Sequence, residues 1–194
     1  GEANAVKVRR VRQLVRDLAG KPFDRLSVLD LGCGEGAYAI EAALAGADVL
    51  ALDARSERMD RGAACAARHG IANVRFLKED VRRVARETHG TFDAVLLLGL
   101  LYHLDAPDLF PVLERVHGLC GGVLVSDTLV ALDGPDEAVW GGRSYRGRRV
   151  REHGDADTPE ERRARVLKSI DNTFSFRLTK ESLLRALHDA GFTS

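Results

Sequence analysis

Residues 28–36, Val-Leu-Asp-Leu-Gly-Cys-Gly-Glu-Gly, constrain the fold of this chain more than any other stretch. An apolar strand runs straight into a glycine-rich turn, and the turn opens a helix that begins Ala37-Tyr38-Ala39-Ile40. Glycine adopts the backbone angles so tight a junction needs. Lacking a Cβ, it also lets backbone N–H groups approach a ligand beside the positive end of a helix. The stretch predicts a nucleotide-like ligand at the carboxyl end of the first strand.

The rest of the hydrophobic pattern keeps the same rhythm. Val8, Val11, Val15 and Leu18 recur at helical spacing and predict an amphipathic first helix ending at Gly20. Residues 26–31 read as the first strand, 37–45 as a small-residue helix, and 49–52 as a second strand ending at Asp53. Ser56 is placed as the cap of a helix running to His69 and stopped by Gly70. Residues 73–77 form a third strand, and the near-continuous apolar run 92–98 fits a parallel strand covered on both faces. A helix over 107–117, a strand over 121–126, an extended 174–178 and a last helix from Thr179 to about Ala190 complete the series. Strands alternating with helices predict an α/β fold: a doubly wound, mostly parallel sheet with helices on both faces and its ligand at the carboxyl ends of the strands. One domain is expected over 1–194, with 129–178 an irregular excursion on the substrate side that holds one short helix from Pro159 to Lys168.

Composition narrows the class. Lys plus Arg equals Asp plus Glu at 29 each, so no global field draws the chain toward nucleic acid or an anionic membrane. Three cysteines, Cys33, Cys65 and Cys120, show no paired spacing and argue against a disulfide framework or a zinc site. No apolar run approaches the ~18 residues of a membrane span, and no signal-peptide pattern is present, so a cytoplasmic protein without a membrane partner is expected. The absent initiator Met points to processing or to an expressed piece.

Gly32-x-Gly34-x-x-Ala37 formally fits the relaxed dinucleotide fingerprint, and Asp53 lies where a ribose-binding acid belongs. The acids separate the candidates. Asp30 stands two residues before Gly32 and Glu35 lies inside the turn, where a carboxylate would repel a diphosphate. A ligand carrying an ammonium and a sulfonium but no phosphate suits that charge, and S-adenosylmethionine is such a ligand. A nicotinamide-dependent oxidoreductase and a cofactor-binding module without chemistry are the competing classes.

Residues 27–104 resemble the class I S-adenosylmethionine-dependent methyltransferases. The matching pieces are Asp30-Leu31-Gly32-Cys33-Gly34-Glu35-Gly36, Leu52-Asp53, Glu79-Asp80-Val81 and the strand Phe92 to Leu98 with Gly99. The resemblance implies a Rossmann-like fold and cofactor contacts at Asp30, Gly32, Cys33, Gly34, Asp53, Ala54, Asp80, Val81, Leu98 and Gly99. Asp53 would accept from both ribose hydroxyls, Asp80 from the adenine amine with the Val81 N–H toward the ring. Carbonyls near Leu98 and Gly99 would meet the methionine ammonium.

Methyl transfer from a sulfonium needs positioning, desolvation and, for a hydroxyl or amine acceptor, a base. His103, in Leu101-Tyr102-His103-Leu104, is the first candidate base and Asp127 the second. The Asn/Asp-Pro-Pro-aromatic motif of nucleobase amino methyltransferases is missing after Leu98, which argues against a DNA adenine or cytosine acceptor. Trp140, Tyr145, Phe174 and Phe176 are candidates to stack on an acceptor ring, and Arg143 and Arg146 to hold an acid or phosphate. A small, natural-product-like acceptor methylated at oxygen or nitrogen is expected. His153-x-Asp155-x-Asp157 reads as a solvated loop rather than a metal site. Leu101-Tyr102-His103, Asn172-x-Phe174, Leu178-Thr179 and the ending Ala190-Gly191-Phe192 are similar to the carboxymethyltransferases of the tRNA wobble uridine, making tRNA the alternative acceptor, with the arginines of 143–151 as its local support. The antiparallel strand pair that usually closes the class I sheet has no counterpart here. An edge left open in that way favours association, and a homodimer is one arrangement that covers it.

Overall fold

The structure, a computed structural model, describes residues 2–193, with side chains from residue 5 onward. The chain forms two compact units, one from residues 1–98 and 118–127, the other from 99–117 and 128–194.

The first unit is built on five parallel strands: β1 (Ser27–Leu31), β2 (Asp48–Asp53), β3 (Val74–Lys78), β4 (Phe92–Leu98) and β5 (Cys120–Asp127), in the spatial order β3-β2-β1-β4-β5. The order reverses between β1 and β4, the switch point beyond which doubly wound sheets bind ligands. β1 and β4 are mostly apolar because both faces are covered: Val28, Leu29, Leu31, Ala94, Val95 and Leu97 are fully buried. Helices α1 (Glu2–Leu18), α2 (Ala37–Leu44), α3 (Ser56–Arg68) and α4 (Arg86–His89) flank the strands. α1 buries Val11 and Val15 of the predicted stripe but leaves Val8 half-buried and Leu18 exposed, and α2 presents Ala39, Ala42 and Ala43 to the same core. Arg55 rather than Ser56 holds the cap position of α3, without a side-chain capping bond, so Ser56 is the first helical residue. No antiparallel strand joins this sheet among the described residues.

The second unit corrects the reading of 129–178 as irregular at its hairpin, while 174–178, read as extended, is a strand with those bounds. β6 (Asp136–Trp140), β7 (Arg143–Arg151) and β8 (Phe174–Leu178) form an antiparallel sheet in that order, β6 and β7 joined by the two-residue turn Gly141-Gly142. Both glycines have positive φ, as the tight hairpin turn requires. The arginines of β7 concealed the strand. Tyr145 and Gly147 point inward, while arginines occupy the exposed positions between and after them, so the alternation lies among polar residues. α5 (Leu109–Leu119), α6 (Pro159–Ala164) and α7 (Lys180–Asp189) follow the predicted helices with shifted ends. Thr158 and Glu161 form a reciprocal capping box on α6, and the Thr179 hydroxyl caps α7 by accepting from the Ser182 N–H.

Candidate functional site

In the first unit the sheet pins the glycine turn in place. The N–H groups of Gly32 and Cys33 both donate to the Leu52 carbonyl, at 2.8 and 2.9 Å, which ties the turn to the end of β2. Gly32, Gly34 and Gly36 have φ of 72°, 57° and 74°, a left-handed series that only glycine adopts without strain. Asp53 joins the two halves: its Oδ2 accepts from the Gly34 N–H at 2.9 Å and its Oδ1 from the Arg55 N–H at 2.8 Å. Ala54 lies between the bonded residues.

Asp30 is the most unusual group. It is 1% exposed, and its Oδ2 has no hydrogen-bond partner. Burial pushes its carboxyl up to about 7. The Ala39 N–H opposes that shift and the neighbouring Asp53 charge adds to it. A buried acid with an unsatisfied oxygen beside a bare glycine turn fits a ligand that brings a positive charge. Burial, with the Asp30 and Asp53 charges, also pushes the Cys33 thiol up, so it stays protonated.

The charge attributed to Glu35 is weaker than the sequence implies. Glu35 pairs with Arg61 of α3 at 3.0 Å, and a Cβ on Gly34 would lie 3.0 Å from the Arg58 guanidinium. Arginines from α3 therefore offset the acid in the turn, and discrimination against diphosphate falls to Asp30. Asp80 caps the 3-10 turn of residues 81–83 that Val81 opens, accepting from the Arg82 N–H at 2.9 Å and from the Arg82 guanidinium at 2.6 Å. Burial opposes ionisation of Asp80, but the Arg82 bonds outweigh it and hold the carboxyl below its usual range. Leu98 ends β4, and Gly99 follows with φ 73°. Asp127, at the end of β5, is half exposed and ion-paired with Lys7 of α1.

In the second unit His103 closes a 3-10 turn of residues 101–103. Its Nδ1 lies 3.4 Å from the Oε1 of Glu152, a residue sequence reasoning missed. Glu152 is 4% exposed and accepts from the Ser175 hydroxyl at 2.8 Å and the Ser169 N–H at 3.1 Å. Nothing in the sequence marks it, since Arg151 and His153 make it look like part of a solvated charged run. Asn172 donates to the His103 carbonyl at 3.0 Å and also to the Phe174 carbonyl, so β8 and the His103 turn are joined.

The six acceptor candidates separate into different places. Trp140, Arg143 and Tyr145 line a cleft of about 210 Å³ with Phe110, Glu114 and Asp189. There the Trp140 ring stacks on Phe110 at 5.8 Å, and Arg143 and the Tyr145 hydroxyl both engage Asp189, whose carboxyl they hold down at about 2. This cleft sits at the start of β7, whereas Glu152 follows its end, so along a strand rising ~3.3 Å per residue the two are about 25 Å apart. Phe174 belongs to the His103 end, where Arg149 and Arg151 lie 5.3 and 4.9 Å from its ring centre. Phe176 is buried, and Arg146 reaches the Gly134 carbonyl at 3.2 Å.

The arginine cluster does not present an open basic patch. Arg148 pairs with Asp133, Arg149 with Asp105, Arg151 with Asp155 and Arg165 with Asp157. The acids of the His153-x-Asp155-x-Asp157 stretch are thus drawn to arginines, and the His153 Nε2 meets the Ser169 carbonyl at 2.9 Å. Among the described residues no helix is long and apolar enough to cross a membrane.

Residues 28–121 match the family model described as a methyltransferase domain. A ubiquinone biosynthesis O-methyltransferase of Acinetobacter baumannii (strain AYE) is 29% identical over 106 residues, 55% of this chain and 43% of the relative. The 23S rRNA (uracil(1939)-C(5))-methyltransferase RlmD of Klebsiella pneumoniae subsp. pneumoniae is 39% identical over 98 residues, 48% of this chain and 22% of the relative. The matched stretch thus spans less than half the length of either curated relative. Among solved structures, the N-terminal domain of EvdMO1 with SAH bound superposes with a TM-score of 0.77 at 26% identity, covering 96% of this chain and 71% of that one.

Proposed function

We propose that this chain is a class I methyltransferase domain that transfers a methyl group from S-adenosylmethionine to an oxygen or nitrogen of a small-molecule acceptor. The observation that most supports the donor is the buried Asp30 carboxylate with its unpartnered Oδ2, set just before a turn of left-handed glycines. When bound, S-adenosylmethionine supplies an electrophilic methyl carbon whose bonding pair leaves with the sulfonium sulfur.

The residues of the chain do the rest. Asp30 offsets the ammonium charge, and Gly32, Cys33 and Gly34 offer a backbone without bulk. Asp53 retains lone pairs for the ribose hydroxyls beside the two N–H groups it already accepts. Ala54 would flank the ribose, Asp80 and Val81 would receive the adenine edge, and the Leu98 and Gly99 carbonyls would face the ammonium. His103 takes the acceptor proton as the acceptor atom bonds to the methyl carbon, leaving an imidazolium. Asp127 is the weaker choice because its charge is already met by Lys7. Acceptor contacts fall first to Phe174, with Tyr102, Arg149 and Arg151, because these share the His103 end of β7 and β8.

The test is incubation of the chain with methyl-labelled S-adenosylmethionine and either a panel of phenolic and amine acceptors or bulk tRNA. Label in a small acceptor is expected; label in tRNA alone would replace the small-molecule reading.

A further inference from the structure

We infer that Glu152 is a positioning residue for His103, fixing the proton on Nδ1 and holding the imidazole as a base through Nε2; the inference deepens the proposed methyl transfer and rests on it. The ground is geometric. Glu152 follows β7, His103 lies in the turn after β4, and the two carry no sequence relation, yet Nδ1 and Oε1 are 3.4 Å apart. A carboxylate oxygen only accepts, so the Nδ1 facing it is the protonated nitrogen, which in the neutral ring leaves the lone pair on Nε2.

Three further bonds give the carboxylate a fixed place. The Ser175 hydroxyl donates to Oε1 at 2.8 Å, the Ser169 N–H donates to Oε2 at 3.1 Å, and the Glu152 N–H donates to the Thr173 carbonyl at 2.9 Å. Asn172 fixes the other side of the pair through the His103 carbonyl at 3.0 Å. A buried acid is costly when ionised unless it is bonded in this way. Burial does push the Glu152 carboxyl up, but Ser175, Ser169 and His103 outweigh it and leave it below its usual value.

The arrangement serves proton transfer. When His103 takes a proton on Nε2, the imidazolium that forms already faces an anion, which needs no reorganisation to stabilise it. The other charged groups near the turn are the Arg177 guanidinium, 5.8 Å from the Tyr102 ring centre, and the Asp105–Arg149 pair.

Nitrogen-15 NMR of the histidine side chains, with Glu152→Gln and Ser175→Ala beside the wild-type chain, tests this directly. His103 is expected as the Nδ1–H tautomer in the wild type. Its titration midpoint should fall by about one pH unit in E152Q and by a smaller amount in the same direction in S175A. S175A keeps the test open if E152Q fails to fold. An Nε2–H tautomer in the wild type, or midpoints unmoved in the folded variants, overturns the inference. Titration with S-adenosylhomocysteine separates the two readings: a chain that fails to bind it loses the donor assignment whatever the NMR reports, whereas binding with an unmoved His103 removes only the role of Glu152.

Discussion

Asp30→Asn should stabilise the ligand-free fold, and more so as pH rises. The Asp30 carboxyl is pushed from 3.8 to about 7 by burial, so the folded chain holds a proton that the unfolded chain releases. Because the folded value lies above the unfolded one, this acid costs nothing well below pH 3.8 and progressively more between 3.8 and 7; above 7 the cost levels off. At ~1.4 kcal/mol per unit, the cost is about 2 kcal/mol at pH 5 and about 4 kcal/mol at pH 8. Asparagine keeps the shape and an acceptor for the Ala39 N–H without the charge. Urea denaturation of both chains, followed by circular dichroism without ligand, should show D30N gaining about 2–3 kcal/mol on the wild type between pH 5 and pH 8. A gap that stays constant, or that moves the other way, would refute the claim that a charge is held here against its solvation. The cost makes sense only if a cation reaches Asp30, so D30N should also bind S-adenosylhomocysteine at least tenfold more weakly at pH 8, a loss of ~1.4 kcal/mol readable by calorimetry.

Gly62→Ala should destabilise the chain by about 1–3 kcal/mol in the same denaturation assay, although alanine is the better helix former, because its Cβ would lie 2.4 Å from the Glu35 carbonyl oxygen. Asp53→Ala removes an acceptor from the Gly34 and Arg55 N–H groups together with the candidate ribose contact. Affinity for S-adenosylhomocysteine should fall at least tenfold by calorimetry while that for methionine alone, which lacks a ribose, changes little.

The first unit was legible because its signals are local. The run Phe92–Leu98 is a strand with those same ends, Asp30 and Asp53 lie in the last two residues of β1 and β2, and Asp80 follows β3 by two residues, where the apolar runs place them. The role of α3 was less visible: its mid-helix Gly62 carried a signal of close packing that went unread, and only the fold brings Arg58 and Arg61 onto the glycine turn. The second unit hid β6 and β7, though not β8, because arginines fill the outward positions of β7. Glu152 could not be found at all, since its partners His103, Ser169 and Ser175 lie 49, 17 and 23 residues away and no local pattern distinguishes a buried acid from a solvated one. The separation of Trp140, Arg143 and Tyr145 from Phe174 likewise depends on which end of β7 each neighbours, a property of strand register rather than of composition.

Calorimetric titration of the chain with S-adenosylhomocysteine and, separately, with NAD tests the donor assignment most directly. The account predicts saturable one-to-one binding of S-adenosylhomocysteine, weakened in D30N, and no comparable response to NAD. Tight binding of NAD with no heat from S-adenosylhomocysteine would contradict it, for then the glycine turn and Asp30 would be serving a diphosphate after all.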